Sequence, residues 1–240
     1  MKILVINPNT TASMTEKIGI AARAVARPDT EIMATDSQDG PASIEGYYDV
    51  AMCLPGLLAE VQKHKDADAI VIACFDDTGV DAVRCLVDVP VIGIGEAAFH
   101  AASMIATKFS VVTTLARSVA GIEANLARYG LATRCARVRA TDIPVLKLEE
   151  NEPATIDKIR CEIQSAIDVD GAEAIALGCA GMADLAQRLS LELELPVVDG
   201  VACAVTLAEA LVAARLKTSK IGAYAYPDHA KPGSAKIAAV

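Results

Sequence analysis

Aromatic side chains are scarce in this chain: 3% of 240 residues, with three phenylalanines, five tyrosines and no tryptophan. Any core must therefore be aliphatic, and 53% of the residues are hydrophobic, chiefly Ala, Val, Ile and Leu. Basic charge is also short, with 22 Lys and Arg against 31 Asp and Glu and a net charge of −9. That balance argues against a nucleic-acid or anionic-membrane partner, both of which require a basic footprint. Apolar runs stay well below the ~20 residues of a membrane-spanning helix. The opening run, Met1–Asn7, is too short for a signal peptide and reads as a first strand. Only three histidines occur, at 64, 100 and 229, far from any pair of cysteines, so zinc is not expected. Seven cysteines (53, 74, 85, 135, 161, 179 and 203) form an odd set without any Cys-x-x-Cys. They fit reduced thiols in a cytosolic enzyme better than a disulfide framework.

What the chain does have is a steady alternation of strand-like and helical stretches. Apolar runs of strand length occur at 2–6, 31–35, 69–73 and 89–94, and again at 109–113, 135–140, 174–177 and 195–198. Helical composition fills 13–26, 47–65, 79–86 and 96–107, then 118–129, 154–169, 181–189 and 201–216. The second of these helices is expected to break or restart at Pro55-Gly56. Residues 143–152 read as a loop, and the tail 217–240 as only partly ordered. Strands alternating with helices of this length indicate βαβ units and a mostly parallel sheet.

The two halves of the series are copies of one pattern. Lys2-Ile-Leu-Val-Ile matches Lys108-Phe-Ser-Val-Val, and Ala34-Thr-Asp36 matches Ala140-Thr-Asp142. Asp68-Ala-Ile matches Glu173-Ala-Ile, Cys74 matches Cys179, and Pro90-Val-Ile matches Pro196-Val-Val. All five pairs are separated by 105 or 106 positions. The general likeness of βαβ units explains the strands, but not the recurring Ala-Thr-Asp or the paired cysteines, so an internal repeat is inferred. The fold class is thus α/β: two pseudo-symmetric, mostly parallel-sheet domains with the active site in the cleft between them.

Cys74 and Cys179 stand at the carboxyl ends of matching strands, where open α/β sheets bind their ligands. Packed about a pseudo-twofold axis, the two thiols would approach one molecule from opposite sides. That arrangement suits removal of a proton from one face of a carbon and delivery of a proton to the other. Such a reaction inverts a stereocentre without a cofactor. Helix N-termini just beyond each cysteine are expected to favour thiolate, whereas Asp76 and Asp77 would oppose it at Cys74 if they point inward. The other five cysteines are expected to be small packing residues. Asn7, Asn9, Thr113 and Thr114 follow the first strand of each half. They suit binding of carbonyl oxygens in the same cleft and also ordinary turn and cap chemistry, so both roles stay open. Ile44, Tyr47, Tyr48 and Phe75 are the few bulky candidates to line a pocket. Gly93-Ile-Gly95-Glu-Ala-Ala98 satisfies part of a dinucleotide fingerprint, but it lies on a late strand without the acidic ribose partner and reads as tight strand–helix packing. Ser43, Ser110 and Ser118 fit no nucleophile elbow.

Ile6-Asn-Pro-Asn-Thr10, Ala73-Cys-Phe-Asp-Asp-Thr-Gly79, Val111-Val-Thr-Thr-Leu115 and Gly178-Cys-Ala-Gly-Met182 together resemble the hydantoin racemases of the aspartate/glutamate racemase superfamily. The likeness runs from about residue 1 to 226. It implies racemisation at C5 of 5-monosubstituted hydantoins by Cys74 and Cys179, without metal or other cofactor, in a homo-oligomer. It also implies substrate contacts at Asn7, Asn9, Phe75, Thr114 and the backbone of Ala180, and a C-terminal helix that crosses back to the first domain, which gives domains of 1–98 plus 207–240, and 99–206. Within the superfamily, an allantoin racemase or a maleate isomerase-like enzyme has the same pair of cysteines; arylmalonate decarboxylase keeps only the later one. A non-catalytic α/β protein that senses a small metabolite is the alternative from another class.

Overall fold

A computed structural model describes residues 1–150 and 152–228, except for the side chain of residue 184. Among them, eight strands form two parallel sheets of four. β1 (Lys2–Asn7), β2 (Glu31–Asp36), β3 (Ala69–Ile72) and β4 (Val91–Gly93) lie in the order β2-β1-β3-β4. The second sheet repeats that order as β6-β5-β7-β8, from β5 (Phe109–Thr113), β6 (Cys135–Ala140), β7 (Ala174–Gly178) and β8 (Val197–Val198). Matching sequences therefore occupy matching places: β1 and β5 are the central strands, and β3 and β7 are the strands that lead to the cysteines. The pseudo-symmetric two-sheet α/β architecture expected from the repeat is the one observed.

Side-chain alternation explains how each central strand is covered on both faces. Ile3 and Val5 of β1 point into the largest core, while Leu4 and Ile6 point the other way into a separate outer cluster. Phe109 and Val111 of β5 join that same large core, and Val112 joins the outer cluster of the second half. The large core is thus shared by the two sheets. It is filled by helices α1 (Ala12–Val25), α4 (Ile94–Ile105), α5 (Ala116–Arg128) and α8 (Gly200–Ala213). The outer faces carry α2 (Tyr47–Lys63) and α3 (Val80–Leu86) on one side, and α6 (Pro153–Asp168) and α7 (Ala186–Leu193) on the other. All three phenylalanines meet at the centre: Phe99 of α4 is edge-on to Phe75 at 5.3 Å and stacked near Phe109 at 6.3 Å. The three phenylalanines and Tyr129 therefore cluster where the halves join, whereas Tyr47 and Tyr48 are exposed.

Helix α4 runs directly out of β4 with no loop, and residue 98 lies inside it. Helix α8 packs on α4, α1 and β3, its start capped by Asp199, which accepts from the N–H groups of Val201 and Ala202. The chain beyond it lies along the first sheet, where Thr218 bonds to Asp88 and Val89 and Tyr224 donates to Asp81. Within the described part of the tail, Lys217, Thr218, Lys220 and Tyr224 bond to this surface; His229 and the remainder lie outside the described residues.

Several local expectations differ from the structure. Helix α2 continues through Pro55, because Leu57 and Val61 bury its far half against β1 and β3 and offset the missing N–H donor. The loop at 143–152 contains a 3-10 turn, Val145–Glu150, and the expected helix at 181–189 is a 3-10 turn, Ala180–Leu185, followed by α7. Cys161, expected to be a packing residue, is exposed on α6.

Candidate active site

The carboxyl ends of the two sheets face one cavity of about 430 Å³ that opens to solvent. Cys74 and Cys179 both line it, together with Asn7, Asn9, Ile44, Phe75, Thr113, Thr114 and Ala180. The structure therefore brings nine sequence-derived candidates to one place; Tyr47 and Tyr48, also expected to line the pocket, are exposed outside it. Met14, Asp76, Ser118 and Val145 complete much of the wall. Pairs of them are related by the repeat: Met14 and Ser118 stand in the first turn of α1 and α5, and Ile44 and Val145 on the loops after β2 and β6. Position in the repeat was the signal that points to Ser118. No nucleophile-elbow pattern surrounds it.

The loops that close the cavity mouth are tied across the halves. Glu45 pairs with Arg117 and accepts from the Val145 N–H at 2.9 Å, which ties the loop carrying Ile44 to the loop carrying Val145. Lys17 of α1 pairs with Glu149 at 3.2 Å on the same rim. These bonds hold the two loops, and with them the cavity walls, in fixed relation.

The polar side chains divide into those engaged in scaffolding and those left free. Asn7 donates to Asn9 Oδ1 and Thr15 Oγ1, and its own Oδ1 accepts from the Asn9 N–H, so its amide is occupied in shaping the β1 turn. Thr113 donates to the Gly178 carbonyl at 3.0 Å, tying β5 to the end of β7. Asn9 Nδ2 has only the weak acceptor Met14 Sδ. The hydroxyls of Thr114 and Ser118, both buried, have no partner among the described residues. Both line the cavity wall, where a ligand can reach them.

Asp76 and Asp77 are adjacent but do different things. Asp77 has φ +51° and turns away from the cavity, accepting from the N–H groups of Gly95 and Glu96 and from the Tyr129 hydroxyl. It caps α4 and links that helix to the end of α5. This explains Gly93 and Gly95: a Cβ on either would lie 2.0 Å or 2.3 Å from Asp77 Oδ1 or the Phe75 carbonyl. Where a dinucleotide site would place pyrophosphate, this helix N-terminus holds the protein's own carboxylate. Burial pushes Asp77 up to about 7, although its three donors pull the other way. Asp76 instead faces the cavity, its backbone carbonyl fixed by Asn125 Nδ2 and its carboxyl group without a hydrogen-bond partner.

Burial also decides the state of both thiols. It pushes Cys179 up to about 12 despite a hydrogen bond from the Gly181 N–H at the start of the 3-10 turn. It holds Cys74 well above its ordinary value, reinforced by the Asp76 charge and opposed by Thr78, whose hydroxyl lies 3.5 Å from the sulfur. The expected lowering by helix N-termini is thus outweighed by desolvation in the empty cavity. Asp76 opposes ionisation of Cys179 as well as Cys74, so its influence spans the cavity.

Burial alone raises the Asp76 carboxyl to about 6. The folded state therefore binds this proton more tightly than the unfolded chain, and the associated stability is fully present below about pH 4 and lost as pH rises toward about 6. Asp77 adds a slope of the same sign. Asp76→Asn should leave stability near pH 4 almost unchanged and raise it at pH 8 by roughly 2 kcal/mol. Urea titrations at the two pH values check this, and an equal effect at both would contradict it.

Fold and cavity together define a two-sheet α/β protein that binds a small molecule between mirrored halves, with a thiol at the end of each equivalent strand. The profile of the Asp/Glu/hydantoin racemase family matches residues 3–208, and the chain belongs to that family. It is 49% identical over 229 residues to the hydantoin racemase of Rhizobium meliloti, covering 95% of each chain. With the hydantoin racemase of Pseudomonas sp. (strain NS671) it shares 46% over 230 residues, 95% of this chain and 92% of that one. The solved allantoin racemase from Klebsiella pneumoniae superposes with a TM-score of 0.93 at 48% identity, over 95% of this chain and 94% of that one. The protein is an enzyme, an isomerase of the racemase type.

Proposed function

We propose that this enzyme racemises 5-monosubstituted hydantoins at C5, without a cofactor, using Cys74 and Cys179 as opposed acid and base. The observation that carries the reading is the placement of both thiols, from equivalent strand ends, in the wall of one cavity that also presents free hydrogen-bond donors. The active form holds one thiolate and one thiol. The thiolate takes the C5 proton, the C–H electron pair passes into an enolate with the neighbouring ring carbonyl, and the thiol on the other face delivers its proton to C5. The pair ends with its proton exchanged between the two sulfurs, ready for the opposite enantiomer.

Hydantoin rings suit this site because the carbanion is conjugated to a carbonyl. Asn9 Nδ2, Thr114 Oγ1 and Ser118 Oγ are the available donors for ring or substituent oxygens, and one donor on a developing oxyanion is commonly worth ~3 kcal/mol. Keeping the thiols protonated at rest limits oxidation and alkylation, since the thiolate is the reactive form. A 5-ureido substituent, as in allantoin, places a second set of hydrogen-bonding groups on the same carbon, and an allantoin racemase at 48% identity stands beside hydantoin racemases at 46% and 49%.

The test is an optically pure hydantoin in D2O under reducing conditions. Loss of optical rotation accompanied by deuterium at C5 is the expected result. If several substituents, the ureido group among them, show neither change, the racemase assignment fails.

A further inference from the structure

A second cavity, of about 590 Å³, adjoins the first on the side of α2 and α5. Two residues border both cavities: Asp76 and Ser118. The outer space is otherwise walled mainly by small or apolar residues, Gly46, Val50, Gly121 and Ala124 among them. Arg117 also borders it, but its guanidinium is paired with Glu45. The polar groups at the junction are therefore an unpaired carboxyl acceptor and an unpaired hydroxyl. Ser118 lines both cavities although the residue as a whole is only 6% exposed, so a ligand that occupies the junction displaces the water its hydroxyl would otherwise meet. Nothing in the scaffold uses either group: the Asp76 backbone carbonyl, not its carboxyl, anchors the loop to Asn125.

We infer that Asp76 and Ser118 form a gate that reads the first atoms of the C5 substituent and selects one with an N–H directly on C5 and a carbonyl next to it. This inference rests on the racemase reading, since it needs the hydantoin ring in the inner cavity. With the ring beside the thiols, the substituent leaves through the junction. A ureido group there donates its N–H to the Asp76 carboxylate, accepts from the Ser118 hydroxyl, and extends its terminal amide into the outer cavity. A branched alkyl group of the same shape fills the same space but strips water from both polar groups and leaves them unpaired, which is the costly case. An anionic substituent meets the Asp76 charge and is rejected.

The matched probes are allantoin and 5-isobutylhydantoin, whose substituents have nearly the same shape and opposite polarity. Wild-type enzyme should favour the ureido compound in kcat/KM by about 10- to 100-fold. Ser118→Ala should lower kcat/KM for the ureido compound about 10-fold and leave the isobutyl compound within about twofold. Asp76→Asn, which keeps the size but loses the charge, should shrink the ratio in the same direction. A merely structural role at either position would depress both substrates together, and that outcome, or a wild-type ratio near one, overturns the gate while leaving the racemase assignment standing. Failure of wild-type enzyme to exchange either compound overturns the racemase assignment itself, and the gate with it.

Discussion

Racemisation by Cys74→Ser enzyme should fall by roughly 10²–10⁴-fold, while deuterium exchange at C5 of one enantiomer persists. Serine keeps the size of cysteine but does not ionise near neutral pH, so the substitution removes one of the two proton-transfer groups and little else. The enantiomer whose C5 proton faces the intact Cys179 can still lose it. That thiol then exchanges with solvent and returns deuterium to the same face, giving labelled but uninverted substrate. Cys179→Ser should reverse the preference, retaining exchange of the other enantiomer only. The pseudo-twofold arrangement requires this reciprocity, because β3 and β7 lead their cysteines into one cavity from equivalent ends. Chiral chromatography with mass detection separates the two readouts. Normal racemisation by either variant, or loss of the same enantiomer in both, would sink the opposed-thiol mechanism.

A large loss of stability is expected from Gly95→Ala. The new Cβ would lie 2.3 Å from the Phe75 carbonyl and 2.8 Å from Asp77 Oδ2, both in the segment that follows Cys74. Neither is the loose end of a flexible side chain. Phe75 is wedged against Phe99, and Asp77 is held by three donors. Relief requires moving the loop away from α4, breaking the cap and displacing Cys74 with it. A cost of about 3 kcal/mol or more is expected, which corresponds to a fall in Tm of roughly 6–12 °C for a chain of this size. Gly121→Ala is the contrast: it sits inside α5 with nothing within 4 Å of its Cβ, so it should raise Tm by a few degrees through helix propensity, about 1 kcal/mol. Calorimetry of the two variants checks the pair of signs. Equal Tm values would show that the close approach at Gly95 relaxes without disturbing the cap.

Much of the architecture was legible in the residues because the central strands are continuous apolar runs and the chain states its pattern twice. The span of β5 and β6 can be read directly, and the matching of Cys74 with Cys179 follows from register alone. Strands β4 and β8 are shorter than their apolar runs, because α4 and α8 start almost at once, each capped by a carboxylate, Asp77 and Asp199. For α4 the cap comes from a distant part of the chain. The division of labour between Asp76 and Asp77 is likewise tertiary: adjacent acids look alike in sequence, and only the left-handed backbone at Asp77 sends one to the helix and leaves the other in the cavity. The thiol states follow the same rule. A helix start beyond a cysteine is visible in sequence, whereas the desolvation that outweighs it depends on how the two halves close. Ser118 matters for what it borders, which no motif around it reveals.

Where deuterium first appears is the most direct test of the opposed thiols. One pure enantiomer in D2O, sampled in the first few per cent of reaction with wild-type enzyme, distinguishes one base from two. Inversion by two thiols predicts deuterium at C5 of the newly formed enantiomer, delivered by the second thiol, while the recovered starting enantiomer keeps its original hydrogen. Deuterium entering the recovered starting enantiomer as fast as it enters product would mean that a single group serves both faces, and would contradict the account.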